Sequence, residues 1–386
     1  MHLPHGLHLA YCTNIHRGET WPETLRALEQ HTLAVKAQVC PAGPYAIGLR
    51  LGAEAAKALL DHQTRLDFKR WMDRHGCYVF TINGFPYGQF HGTRVKEQVF
   101  QPDWSKVDRV DYTQALFTIL ADLVPAGGSG SVSTVPGSHK ELIVDVRQEE
   151  DIANNLKNTA TWIARLSDRT GIDLHLGVEP EPLGYIENTA ETVQFFEKLG
   201  GGEEIRRCLG VNYDTCHLAV EFEDGARGLN VLEERGIRLS KLHLSSALRV
   251  TDVMRVVKRL QEFQEDTYFH QTIARRPDGS LHRFRDLPDA LAHAAAHGVP
   301  EDEEWRVHFH VPLHADLEEP FGDTRDHLLA TLDWLAEKPS RCSHLEMETY
   351  TWEVMPRELE AGSVVDQLVR EYEWTLAAMR ARQLAI

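Results

Sequence analysis

Five side chains at or near the ends of apolar runs could do metal chemistry together. Glu179 follows the apolar stretch of IDLHLGVEPEP (172–182), and Asp214 closes CLGVNYD (208–214). His243 lies in LSKLHLSS (239–246), and Glu346 and Glu348 alternate in HLEMETYTW (344–352). Two or three carboxylates and one imidazole suit a divalent cation with mixed oxygen and nitrogen ligands, and Mn²⁺, Mg²⁺, Co²⁺ and Zn²⁺ all fit such a set. Glu346 and Glu348 share a face because strand side chains alternate, and Glu348 is preferred as the ligand because it lies nearer the strand's end. Each residue also has a plainer reading. Glu179 can be solvated beside Glu181 in the EPEP loop, and Asp214 can cap a helix. His217 reads as a neighbour of the ligands or a surface group, and His243 as a satisfied core histidine. The four ligands together are harder to dismiss than any one.

The elements that must bring them together are short apolar runs alternating with longer amphipathic ones. Strand patterns fall at 6–12, 45–51, 77–84, 130–137, 172–182, 208–214, 239–246, 306–314 and 344–352. Between them lie helix patterns at 53–75, from 107 to before Pro125, and at 149–171, 189–199, 225–238 and 324–336. Thr20–Glu23 (TWPE) and Ser363–Asp366 (SVVD) read as capping boxes that open helices. Strands alternating with helices imply parallel pairing, and about eight such units favour a (β/α)₈ TIM barrel. Of the nine strand patterns one is not a barrel strand, and RVHFHVPLH (306–314) is the weakest candidate. A hairpin at 268–287, turning on Asp278–Gly279, interrupts the rhythm. We therefore expect one domain over 1–386 with an insertion near 250–304 roofing the barrel mouth. In this fold the active site lies at the carboxyl ends of the strands, where the four ligands fall.

Composition narrows the function classes. The chain has 386 residues, 26% charged and 42% hydrophobic, as in ordinary globular proteins. Its net charge is −17, which repels polyphosphate and argues against nucleic acid or an anionic membrane as partner. No apolar run has the length of a membrane span. Six scattered cysteines without a CxxC pair read as reduced thiols. MHLPHGLHLAYC lacks the basic start and long apolar core of a secretion signal, so a cytoplasmic location is expected. GGSGS (127–131) precedes a strand and lacks GxGxxG spacing, and neither a GxSxG elbow nor a P-loop occurs.

The order of Glu179, the DTCH that begins at Asp214, His243 after a strand and a late Glu348 resembles the xylose-isomerase-like barrels. That superfamily includes sugar isomerases, ketose 3-epimerases and AP endonucleases of the endonuclease IV type. More narrowly, YCTNIHRGETW (11–21), NGFPYGQFHGTRVKEQVFQPDW (83–104) and HLEMETYTW (344–352) resemble the EboE family, described as bacterial metabolite-traffic proteins. The epimerase resemblance implies that Glu179, Asp214, His243 and Glu348 hold the metal, which stabilises an enediolate of a small sugar, polyol or related hydroxylated metabolite. It implies that Glu179 and Glu348 act on opposite faces of the substrate, one removing a proton from carbon and the other returning it. Many barrels of this type pair, so a homodimer is one option. Two other readings stay open: a non-catalytic metabolite carrier of the EboE type, and an endonuclease IV-like phosphoesterase. The last would need histidines at the ends of strands three and four, where His91 and His139 are displaced into loops.

Substrate contacts are expected from the loop after the third strand, which carries Asn83, Phe85, Tyr87, Phe90, His91, Arg94, Lys96 and Trp104. Mixed aromatics and cations suit a polar, ring-bearing or phosphorylated substrate, but an Ω-loop packed on its own aromatics has the same composition. Glu181, His217, His310 and Glu346 are further candidates. His308 and His310 share a strand face, where packing is the plainer reading and a second metal the sharper one. His270, Arg275, Arg276 and His282 belong to the insertion, which can serve as a lid or a dimer contact.

Overall fold

The computed structural model describes residues 1–356 and 362–386. Eight parallel strands form the barrel: β1 (His8–Tyr11), β2 (Tyr45–Arg50), β3 (Cys77–Asn83), β4 (Ser129–Thr134), β5 (Asp173–Val178), β6 (Leu209–Asp214), β7 (Arg238–Leu244) and, after a long excursion, His344–Met347. That last strand lies between β1 and β7, and the parallel bridge from Cys12 to Gly48 closes the circle between β1 and β2.

The alternation of side chains decides what faces the axis. In β5, Leu174, Leu176 and Val178 point outward to the helices, while His175 and Gly177 face inward with Glu179 above them. The same period puts Asn212 and Asp214 of β6, Lys241 and His243 of β7, and His344, Glu346 and Glu348 on the barrel's inner side. The interior is therefore polar and must satisfy its own hydrogen bonds. A β-bulge at Ser240 helps: Ser240 reaches His175 while the next residue, Lys241, reaches Glu346. Gly48 makes room for that carboxylate, because a Cβ there would lie 2.1 Å from Glu346 Oε1.

After β7 the chain builds a second, antiparallel sheet from β8 (Ala247–Val250), β9 (Thr272–Arg275), β10 (Leu281–Phe284), β11 (Glu304–His310) and β12 (Phe321–Asp323), in the order β10-β9-β11-β8-β12. The barrel strand His344–Met347 is thus β13. The RVHFHVPLH pattern supplies β11 and lies outside the barrel, and β9 and β10 form the expected hairpin, with Gly279 at φ +84° in its turn. The sheet draws on residues 247–323, more of the chain than 250–304, because β8 and β12 pair with each other across it. It has its own apolar cluster, including Leu248, Trp305, Val307, Phe309 and Phe321.

Two helix patterns are subdivided. The 53–75 pattern is two helices, Ala53–Leu59 and His62–His75, because Asp61 caps the second with its side chain. The stretch from Trp21 to Val39 contains a π-turn at Leu28–Thr32. Both capping boxes are present, at Thr20/Glu23 and Ser363/Asp366. A short helix at Glu203–Cys208 carries no periodic signal of its own.

Candidate metal centre

Four neighbouring strands in the order β13-β7-β6-β5 deliver Glu348, His243, Asp214 and Glu179 to the carboxyl end of the barrel. Every carboxylate there has one oxygen anchored and the other aimed inward. Glu179 Oε2 accepts from Asn212 Nδ2 at 2.7 Å, and Glu179 Oε1 lies 3.1 Å from His243 Nδ1. Glu348 Oε1 accepts from Asn14 at 2.7 Å and Asn83 at 3.0 Å, leaving Oε2 3.0 Å from the same His243 nitrogen. Asp214 Oδ1 caps the helix Thr215–Val220 through the Cys216 and His217 amides and accepts from Ser245 Oγ at 2.5 Å. Its Oδ2, 3.5 Å from His243 Nδ1, has no hydrogen-bond partner. Asp214 is therefore a helix cap and a candidate ligand at once, with one oxygen for each role.

Three carboxylate oxygens and one imidazole nitrogen thus surround a common centre. Ligand bonds to such a cation are about 2–2.6 Å, and the four ligand atoms lie within 4.8 Å of one another. The orphaned Asp214 Oδ2, fully buried, is the kind of atom a cation would satisfy. The donor set fits a divalent metal.

Beneath this layer Glu346 Oε2 accepts from His243 Nε2 at 2.8 Å and from the buried Lys241 Nζ. That bond fixes the tautomer, leaving His243 Nδ1 to face the centre. Burial disfavours charge on His243, but Glu348 and Glu179 beside it hold its pKa well above the usual histidine range. Burial likewise opposes ionisation of Glu346, yet Lys241 and His243 hold it at about 2.

Above the centre a second constellation meets Asp214. His217 Nδ1 faces the carbonyl of Pro180 at 2.9 Å, and His310 Nδ1 faces that of Glu348 at 2.8 Å. His308 Nδ1 faces Gln271 Oε1 at 2.7 Å, an amide whose nitrogen is committed to Glu181 Oε1 and the Pro182 carbonyl. These partners can only accept, so all three rings carry a proton on Nδ1 and turn Nε2 away from that bond. Burial opposes charge on His217, but Asp214, Glu181 and Glu179 raise its pKa. The His308 and His310 Nε2 atoms are 3.2 Å apart, and His217 Nε2 is 3.8 Å from Asp214 Oδ2. Ligand atoms of Asp214, His217 and His310 also lie within 4.8 Å of one another. Burial pushes Glu181 up to about 7, with His217 opposing the rise and Glu179 adding to it.

The remaining candidates separate by position. Asn83, Lys96, Glu181 and His217 line the cavity over the centre, with Phe85, Phe90, Tyr268, His308 and Tyr350. His310 sits just behind His308, and Glu346 lies one layer down, out of that cavity. His91 is spent on bracing: its Nε2 bonds to the Asn14 carbonyl and its Nδ1 to Tyr268 OH. Arg94 points away, 60% exposed and paired with Glu97. Trp104 is fully buried and donates to Thr134 Oγ1 at 3.0 Å, so it belongs to the loop's own packing. Asn14, Asn212, Lys241 and Tyr350 were not among the sequence candidates. Asn212 and Lys241 each precede a ligand by two residues, a strand-face signal that could have found them.

No family model matches the chain, and no curated protein sequence matches it. Solved structures do. A xylose isomerase-like TIM barrel protein from Mycobacterium smegmatis in complex with magnesium aligns over 99% of this chain and 100% of its own, at 11% identity and TM-score 0.55. An L-ribulose 3-epimerase aligns over 97% and 95%, at 12% identity and TM-score 0.51. The IOLI protein with a binding zinc atom aligns over 97% and 99%, at 12% identity and TM-score 0.50. The chain thus has the xylose-isomerase-like TIM-barrel fold, and two of these neighbours hold magnesium or zinc.

Proposed function

We propose that this protein is a metal-dependent isomerase or epimerase acting on a small sugar, polyol or related hydroxylated metabolite. One observation carries the reading: three carboxylate oxygens lie 3.0–3.5 Å from His243 Nδ1, each on a carboxylate whose other oxygen is anchored. Glu179, Asp214, His243 and Glu348 would hold a divalent cation, Mn²⁺, Mg²⁺, Co²⁺ or Zn²⁺, which supplies Lewis acidity to the enediolate of a hydroxy-ketone. Glu179 and Glu348, from strands on either side of β6 and β7, both line the cavity, so one carboxylate can take a proton from carbon while the other returns one. Asn212, Asn14 and Asn83 keep the two carboxylates oriented. The insertion serves as a lid on one barrel domain, since its Tyr268 and His308 face Glu179 and Glu348 across the same cavity.

The carrier reading of the EboE type draws on a separate observation. All three motifs that resemble that family contribute to the cavity wall, supplying Asn14, Asn83, Phe85, Phe90, Lys96, Glu348 and Tyr350. The partner is a small metabolite rather than nucleic acid, and a cytoplasmic setting suits six cysteines that are all unpaired. No helix among the described residues is long and apolar enough to cross a membrane.

Elemental analysis tests the metal. Wild-type protein should carry at least one equivalent, and Asp214→Ala, which removes a member of both constellations, should carry none. The variant loses a helix cap worth about 1 kcal/mol and should stay folded. Equal metal in both preparations would sink the ligand assignment. Substrate-dependent incorporation of solvent deuterium next to the carbonyl of an α-hydroxy ketone supports the enzyme, whereas tight binding without exchange supports the carrier.

A further inference from the structure

The cavity over the metal centre has two chemically different walls. Free polar capacity is concentrated at its inner end, on Glu179, Glu348, Glu181 and the unpartnered Asn14 Oδ1. The outer wall is made by Phe85, Phe90, Val95, Tyr268, Phe269 and Tyr350. Phe90, Tyr268 and Tyr350 pack as a three-ring cluster with centroids 5.1–5.4 Å apart.

The polar atoms of that wall are few, and each already faces a protein partner. Tyr268 OH bonds to His91 Nδ1 at 2.7 Å, and Tyr350 OH faces His308 Nε2 at 3.5 Å. Lys96, the cation among the lining residues, places Nζ 2.5 Å from Asp286 Oδ2, with both side chains at most 10% exposed. The backbone amides of Val95 and Lys96 are also spent, on the Thr267 carbonyl. A hydroxyl or phosphate pressed against the side chains of Phe85, Phe90, Val95 and Phe269 would lose water and gain no partner from them, which costs on the order of 1–3 kcal/mol per group. An apolar ring there gains from burial and from stacking.

We infer that the substrate is two-ended, with adjacent hydroxyl and carbonyl oxygens at the metal end and an aromatic or comparably apolar group against the Phe90–Tyr268–Tyr350 wall. This rests on the proposed metal site and narrows its substrate class away from free sugars and sugar phosphates.

Three α-hydroxy ketones test it on metal-loaded protein by titration calorimetry: hydroxyacetone, D-fructose and 2-hydroxyacetophenone. The phenyl ketone should bind at least tenfold more tightly than the other two. Phe90→Ala should remove most of that advantage, with metal content as in wild type. Val95→Ala, a smaller truncation of the same wall, should lower it in part and guards against a Phe90 variant that fails to fold. D-fructose binding as tightly as the phenyl ketone, or both variants keeping the full preference, overturns the inference. If wild-type protein holds no metal, the underlying reading falls and this one with it. If metal is held and D-fructose is preferred, only the inference about the apolar end falls.

Discussion

The barrel buries histidines at both of its ends, and they keep different company. At the carboxyl end His243 stands among Glu179, Asp214 and Glu348, with Glu346 beneath it. At the amino end the bonded partners are hydroxyls. His175 meets Ser240 and Ser129, His344 meets Ser131 at 2.8 Å, and His8 meets Tyr78 at 2.8 Å. Burial drives His175 and His344 well below the ordinary histidine range and takes His8 to about 4, whereas the carboxylates hold His243 well above it. Burial alone makes a neutral, structural imidazole. A site needs in addition carboxylates with one oxygen held and the other left free.

The largest effect that could break this contrast lies between the two ends, at Lys241. Its ammonium is the cationic partner of Glu346, and both side chains are at most 1% exposed. Lys241→Met would leave a buried carboxylate with His243 alone to offset it. We expect a loss of about 3–5 kcal/mol in urea unfolding of metal-free protein. A loss under about 1 kcal/mol would mean that Glu346 is neutral in the folded chain and that the carboxyl end carries less charge than its geometry implies.

A smaller effect separates the ends by pH. A histidine whose folded pKa is depressed binds its proton only in the unfolded chain, so its stability contribution is lost as pH falls below the unfolded value of 6.5. For His8 and for His327, which stacks on Tyr213, the window runs from 6.5 down to about 4. Each such group contributes at most about 1.4 kcal/mol per pH unit. His344→Gln should therefore shallow the decline in unfolding free energy between pH 6.5 and 5 relative to wild type. An unchanged slope would show that His344 is not a buried neutral imidazole.

How much of this was legible in the sequence depends on range. Glu179, Asp214, His243 and Glu348 announce themselves because each follows or ends an apolar run and the strand period fixes the face it shares. Asn212 and Lys241 obey the same period and could have been read. Asn14 could not: it lies in a single 3-10 turn, Thr13–Ile15, with no periodicity to aim it. The apolar wall was half visible, since Phe85 and Phe90 are in the loop after β3. Tyr268 reaches it through backbone bonds from Val95 and Lys96 to Thr267, a long-range closure that local pattern does not encode. Trp104 shows the converse, because an aromatic that packs its own loop has the same local sequence signal as one that greets a ligand.

The finest distinction is whether the anchoring of the free oxygens matters, and Asn14 isolates it. Its amide donates to Glu348 Oε1 at 2.7 Å, while Asn83 donates to the same oxygen at 3.0 Å. Asn14→Ala removes one anchor and touches no candidate ligand atom. Glu348 can then rotate more freely, and part of its alignment must be restored when a cation binds. Metal affinity, read by competition with a chromophoric chelator, should weaken roughly tenfold, the low end for loss of such an outer partner. Ser131→Ala, which removes the comparable partner of His344 at the other end, should leave metal affinity unchanged. Equal effects from the two variants would mean that general barrel rigidity, and not oriented carboxylates, sets the affinity, and the contrast between the ends would lose its chemical content.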